Sequence, residues 1–149
     1  MSWTKLLAEQ RIHPHKTSKQ EISSLRKLVE RDLKDAALAG LSPDRKFATA
    51  YNAVLQLSKM AIACAGYRTS SSAAGHHQTT FEAAKLSIGS SSFKLTDYFE
   101  TCRRMRNTID YDYAEVVTDA QAKELSEKAE EFLNCIENWI AVNHPNLGR

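Results

Sequence analysis

An all-α, single-domain antiparallel bundle of about five main helices is the fold this sequence predicts. Three observations point to it. Apolar residues recur at three- and four-residue spacing in successive segments. Ser, Thr and Pro stand where those segments begin and Gly where they end. No strand alternation or hairpin dipeptide competes. The 149 residues suit one core, and 42% hydrophobic content with five glycines and three prolines fits a folded domain rather than a disordered chain.

The elements follow in order. A short helix is expected from Trp3 to Glu9, broken at IHPH around Pro14. Ser18, three residues before Glu21, has capping-box spacing and opens a helix carrying Ile22, Leu25, Val29 and Leu33 to near Ala39, with Gly40 as the stop. Ser42-Pro43 pairs a cap with a first-turn proline, and Phe47, Ala50, Val54, Leu57 and Ala61 form the buried stripe of a long helix ending before Gly66. TSSSAAG, Thr69 to Gly75, reads as a polar loop; Thr79 to Glu82 reads as a second capping box opening a shorter helix to Ile88. After the GSSS loop, residues 89–92, Leu95, Tyr98, Phe99, Cys102 and Met105 mark the fourth main helix. Thr118 to Gln121 is a third capping box, and Leu125, Ala129, Phe132, Ile136 and Trp139 or Ile140 line the last helix. On its outer face Lys123 and Glu127, and Glu124 and Lys128, have ion-pair spacing, and the NHPNLGR tail is expected to fray.

Composition excludes several function classes. Twenty basic and 18 acidic side chains leave a net charge of +2, so no global field draws the chain to nucleic acid or to a membrane. No apolar run is long enough to span a bilayer, and the N-terminal residues lack a signal-peptide block, so a cytoplasmic location is expected. Cys64, Cys102 and Cys135 lie far apart with no CxxC pair, which favours reduced core thiols over zinc or a disulfide. His13, His15, His76, His77 and His144 have no metal-ligand spacing, so no metal and no cofactor is expected. Glycine-rich phosphate loops, paired catalytic carboxylates and a Ser-His-Asp grouping are all missing from the sequence.

One cluster stands apart. CRRMRNTIDYDY, Cys102 to Tyr113, places Arg103, Arg104 and Arg106 near the end of the fourth main helix. Arg103 and Arg106 lie on one side of that helix, Phe99, Cys102 and Met105 on another. Guanidinium forks match phosphate oxygens and stay charged at any relevant pH. Asn107 adds an amide, and Asp110, one turn beyond Arg106, is placed to clamp its guanidinium, orienting it and spending part of its charge. The plain alternative is a solvated face whose cations complement the helix C-terminus. His76 and His77 are exposed loop residues, or one of them caps the following helix, or they supply a base that folds over the arginines.

The segment RRMRNTIDYDY resembles the signature of the HEPN family of all-α bacterial and archaeal proteins, an arginine followed by a polar residue and, four to six positions on, a histidine, with a tyrosine two residues later in many members. Arg106-Asn107 matches its start, Tyr111 stands where histidine is expected at the shorter spacing, and Tyr113 matches the later tyrosine. The chain is similar to a divergent subset carrying RNxxDY, over about residues 18–142, and Gly75 to Ala83 is also similar to segments of that subset. The resemblance implies a homodimer with a cleft shared across a two-fold axis. It implies either a metal-independent endoribonuclease of toxin–antitoxin or defence systems, or a non-catalytic partner of a nucleotidyltransferase, with Tyr113 as a target for attached nucleotides. Tyrosine, with a pKa of about 10, is a poor proton acceptor at neutral pH where histidine is a good one. The departure at Tyr111 therefore favours nucleotide or RNA binding with weak or no nuclease activity. The alternatives are a ribonuclease in which His76 or His77 supplies the base, and a purely structural helical interaction protein whose surface carries a salt-bridged cluster.

Overall fold

In the computed structural model, Trp3–Ala8 forms α1, Ile12–Pro14 β1, Lys19–Ala36 α2, Pro43–Cys64 α3, Tyr67–Thr69 β2, His76–Ile88 α4, Phe93–Tyr111 α5 and Asp119–Asn143 α6. The structure describes residues 1–71, 75–110 and 113–149, together with the backbone of Tyr111. Part of the expected 69–75 loop, and the side chain of Tyr111, lie outside the described residues.

α3 is the axis of the bundle and packs against α2, α4, α5 and α6. Its long interior run, with Phe47, Ala50, Tyr51, Val54, Leu57, Met60 and Ala61 all at most 1% exposed, is what a helix surrounded by other helices requires. The start of α2 faces the end of α3 (Glu21 and Leu25 beside Lys59 and Ile62), so these two run antiparallel. α6 is antiparallel to α2, because Arg26 meets Glu137 while Ala36 lies near Ala122. α4 and α5 form a second antiparallel pair, joined by a 3-10 turn at Ser90–Ser92, with Phe81 against Phe99 and Lys85 against Asp97. Among the described residues no helix is long and apolar enough to cross a membrane.

Local signals produced most of these boundaries. Ser18, Ser42 and Thr118 each accept a hydrogen bond from the backbone N–H three residues on, at 3.1–3.2 Å. Thr118 and Gln121 complete a reciprocal box. The Ser18 box is only half made, because the Glu21 carboxylate accepts instead from Thr17 and meets His15, each at 2.7 Å.

Five expectations are corrected. First, Ile12–Pro14 and Tyr67–Thr69 pair as a small antiparallel ribbon where no strand is expected. Each is three residues long, too short to show alternation, and the pairing joins segments far apart in sequence. Second, α4 begins at His76, not at Thr79. Gly75, at φ +71°, supplies the left-handed turn into the helix. Thr79 and Thr80 are buried one turn in and bond back to the Gly75 and His76 carbonyls. Glu82 is held by Arg11 at 3.0 Å rather than by a cap. Third, α2 closes at Ala36, where Ala37 and Leu38 turn their N–H groups to Lys34 and Asp35 and tighten the last turn. Fourth, Lys128 pairs with Glu131 instead of Glu124, although Lys123 and Glu127 do meet at 4.0 Å. Fifth, the tail docks rather than fraying. Leu147 packs on the core and Arg149 bridges Glu137 and Glu30, both at 2.7 Å.

A secondary cluster of Leu6, Ile12, Ile62 and Ala83 fastens α1 and the ribbon to the bundle. Trp3 completes it by stacking on Tyr67, with ring centroids 4.4 Å apart.

Candidate functional site

The apolar stripe of α5 (Leu95, Phe99, Cys102) is anchored in the core, with Phe99 5.0 Å from Phe132 between ring centroids. This anchoring rotates the next polar positions, Glu100, Arg103 and Arg106, towards the rim between α3 and α4. Arg104 and Asn107 stand exposed, one turn from Glu100 and Arg103 respectively.

Arg106 is the centre of the cluster. Its side chain is 18% exposed. The guanidinium carbon lies 5.8 Å from the ring centroid of Tyr51, a cation–π distance. Nη1 pairs with Asp110, as the four-residue spacing predicts. Nη2 donates to Asn52 Oδ1 through a long 3.4 Å bond, and Nε is buried with no partner among the described residues. The Nε–Nη2 edge can donate a fork of two hydrogen bonds to a pair of oxygens, and among the described residues it is at most half engaged. One turn earlier, Arg103 donates to Glu100 Oε1 at 2.8 Å, while Glu100 Oε2 is likewise buried and unpartnered. Buried polar atoms without partners are uncommon in folded proteins.

The tertiary structure brings His77 to this cluster. Its Nδ1 lies 3.4 Å from the hydroxyl of Tyr51, the residue over whose ring Arg106 sits. His76 packs edge-on against His77, with centroids 4.4 Å apart. Burial, followed by the positive fields of His76, Arg106, Lys59 and Arg103, pushes the His77 imidazole down to about 4. It is therefore neutral at pH 7 and a weak base. Burial and the nearby Glu100 carboxylate raise Tyr51, which keeps its proton. The arrangement brings the Arg106 guanidinium, the Tyr51 phenol and a neutral imidazole together, with Arg103 one turn back on α5 and Glu100 and Asp110 as countercharges.

Tyr113 ends the segment 73% exposed and reaches the cluster through no contact of its side chain among the described residues. The thiols of Cys64 and Cys102 are buried and pushed up to about 11, chiefly by burial, which fits core packing rather than nucleophilic chemistry. Among the described residues no group of three or more His, Cys, Asp or Glu is arranged to hold a metal ion.

Sequence reasoning missed Tyr51, Asn52 and Glu100. A faint signal existed for Tyr51: a tyrosine inside an otherwise aliphatic stripe has to find a partner for its hydroxyl once buried. Compared with protein-family models, curated proteins and solved structures, the chain matches none of them.

Proposed function

We propose that this chain is a HEPN-type module that binds the phosphate of a nucleotide or an RNA strand through Arg106, with weak or no nuclease activity. One observation carries the reading: the half-filled Nε–Nη2 edge of Arg106, held against Tyr51 between Asn52 and Asp110. A pair of phosphate oxygens that displaces the long Asn52 contact takes both donors, and Arg103 adds a second positive charge one turn away. Asn107 and Tyr111 belong to the ligand-binding set through the motif they share with Arg106.

The weak basicity of His77 favours binding over cleavage, since general-base catalysis is most efficient when the pKa lies near the working pH. The ribonuclease reading keeps one specific support: His77 stands beside the arginine that would hold the scissile phosphate. The proposal includes a homodimer built on α5, supported by Phe93 and Tyr113, which stand exposed at either end of that helix. It also includes a nucleotidyltransferase partner within a toxin–antitoxin or defence pair, for which the exposed Tyr113 hydroxyl is an accessible acceptor.

Fluorescence anisotropy with a labelled unstructured RNA, without metal, tests the reading. Arg106→Ala is expected to weaken binding by about 10- to 100-fold, the value of charge-assisted bonds. Equal affinity in the variant overturns it. RNA cleavage that disappears in both Arg106→Ala and His77→Ala selects the ribonuclease reading instead. Sedimentation as a monomer at high concentration removes the homodimer.

A further inference from the structure

Behind His77, on the side away from α5, a cavity of about 340 Å³ opens between the start of α2, the end of α3, β2 and the first turn of α4. Its volume lies within the range of small-molecule sites. One part of its wall is apolar: Leu25, Leu55, Ile62 and the Tyr67 ring. Tyr67 is held rigid from behind by the stacked Trp3. The other part is polar and largely positive. Lys59 and Arg68 line it and make no ion pair among the described residues. Glu21 also lines it, but its carboxylate is already engaged by His15 and Thr17 at 2.7 Å. Its charge reaches Arg68 and offsets part of that field, which leaves two cations against one carboxylate in the lining. Thr69 and Ser71 also line it.

We propose that this cavity is a second binding site, for a nucleoside monophosphate. The phosphate lies between Lys59 and Arg68, the base lies flat against Leu25, Ile62 and Tyr67, and the hydroxyls of Thr69 and Ser71 meet the sugar. The volume, the apolar residues and the excess of cations over carboxylates in the lining call for a ligand with a flat apolar part and an anionic part. The site stands independently of the phosphate reading at Arg106, with which it shares only the His76–His77 wall.

Isothermal titration calorimetry and amide chemical-shift mapping with adenosine and uridine 5′-monophosphates, the parent nucleosides and inorganic phosphate test the proposal. At least one monophosphate is expected to bind and to shift the amides of Leu25, Ile62, Tyr67 and Arg68. Its nucleoside and inorganic phosphate are each expected to bind at least tenfold more weakly. Lys59→Glu and Arg68→Glu, both at exposed positions that leave the core intact, are each expected to weaken the monophosphate at least tenfold. Arg106→Ala should remove only shifts at its own cluster and leave those of Leu25, Ile62, Tyr67 and Arg68 in place. Failure of both monophosphates to bind at millimolar concentration overturns the proposal, as does affinity unaffected by Lys59→Glu and Arg68→Glu. Monophosphate binding lost in Arg106→Ala, with shifts confined to Arg103 and Arg106, overturns this site while supporting the one at Arg106.

Discussion

Acidification should destabilise the protein through His77, and the size of the effect follows from where that ring sits. Its pKa is about 4 in the folded protein against 6.5 for the free side chain, first because it is buried and then because His76, Arg106, Lys59 and Arg103 surround it with positive charge. Between these two values the unfolded chain binds a proton that the folded chain does not. Stability therefore rises with pH across this window and is lost as the pH falls from about 6.5 to about 4. At about 1.4 kcal/mol per tenfold change in proton affinity, the ceiling is about 3 kcal/mol. The ring is only half-buried, so solvent screening reduces the expected loss to about 1–2 kcal/mol. Urea unfolding at pH 7 and pH 4.5, in the wild type and in His77→Gln, isolates the contribution. Glu21, which is also lost as a stabilising group in acid, is common to both proteins and cancels. The wild type should lose about 1–2 kcal/mol more than the variant. Following the imidazole Hε1 resonance should place its midpoint near pH 4, and a phosphate ligand bound at Arg106 should move that midpoint upwards. A midpoint near 6.5, or equal losses in the two proteins, refutes the placement of His77 among these cations.

Three further outcomes follow from the packing. Arg26, 7% exposed, makes a bidentate pair with Glu137 at 2.9–3.1 Å. Arg26→Met should cost about 2–3 kcal/mol in urea unfolding, below the full penalty of an orphaned buried charge because Arg149 still pairs with Glu137. Phe99→Ala, which empties the space between Phe81 and Phe132, should cost about 3–5 kcal/mol by the same assay and loosen the hold of α5 on Arg106. Thr118→Ala, which removes the capping box of α6, should cost about 1 kcal/mol and increase amide exchange in its first turn.

The parts of the molecule that were legible in the sequence depend on neighbours within one turn of helix. Ser18, Ser42-Pro43 and Thr118 start helices because a side-chain oxygen meets a backbone N–H three residues away, whatever the rest of the chain does. The stripes Phe47 to Ala61 and Leu125 to Ile140 are buried because the helical period puts them on one face. Within the candidate site, the Arg106–Asp110 pair is legible for the same reason. Thr79 and Glu82 show where that logic fails. Their spacing is right for a cap, but Arg11, some 70 residues earlier, takes both side chains and the helix begins upstream.

The sequence by itself determined the helical class, most helix starts and the composition of the core, because these rest on contacts between residues close along the chain. Only the tertiary structure decided that Tyr51, Asn52 and His77 meet Arg106, that the N-terminal ribbon closes one end of a cavity, and that Arg26 finds Glu137. Those contacts join residues tens of positions apart, and their geometry is set by how the helices pack around α3 rather than by any pattern a single segment carries.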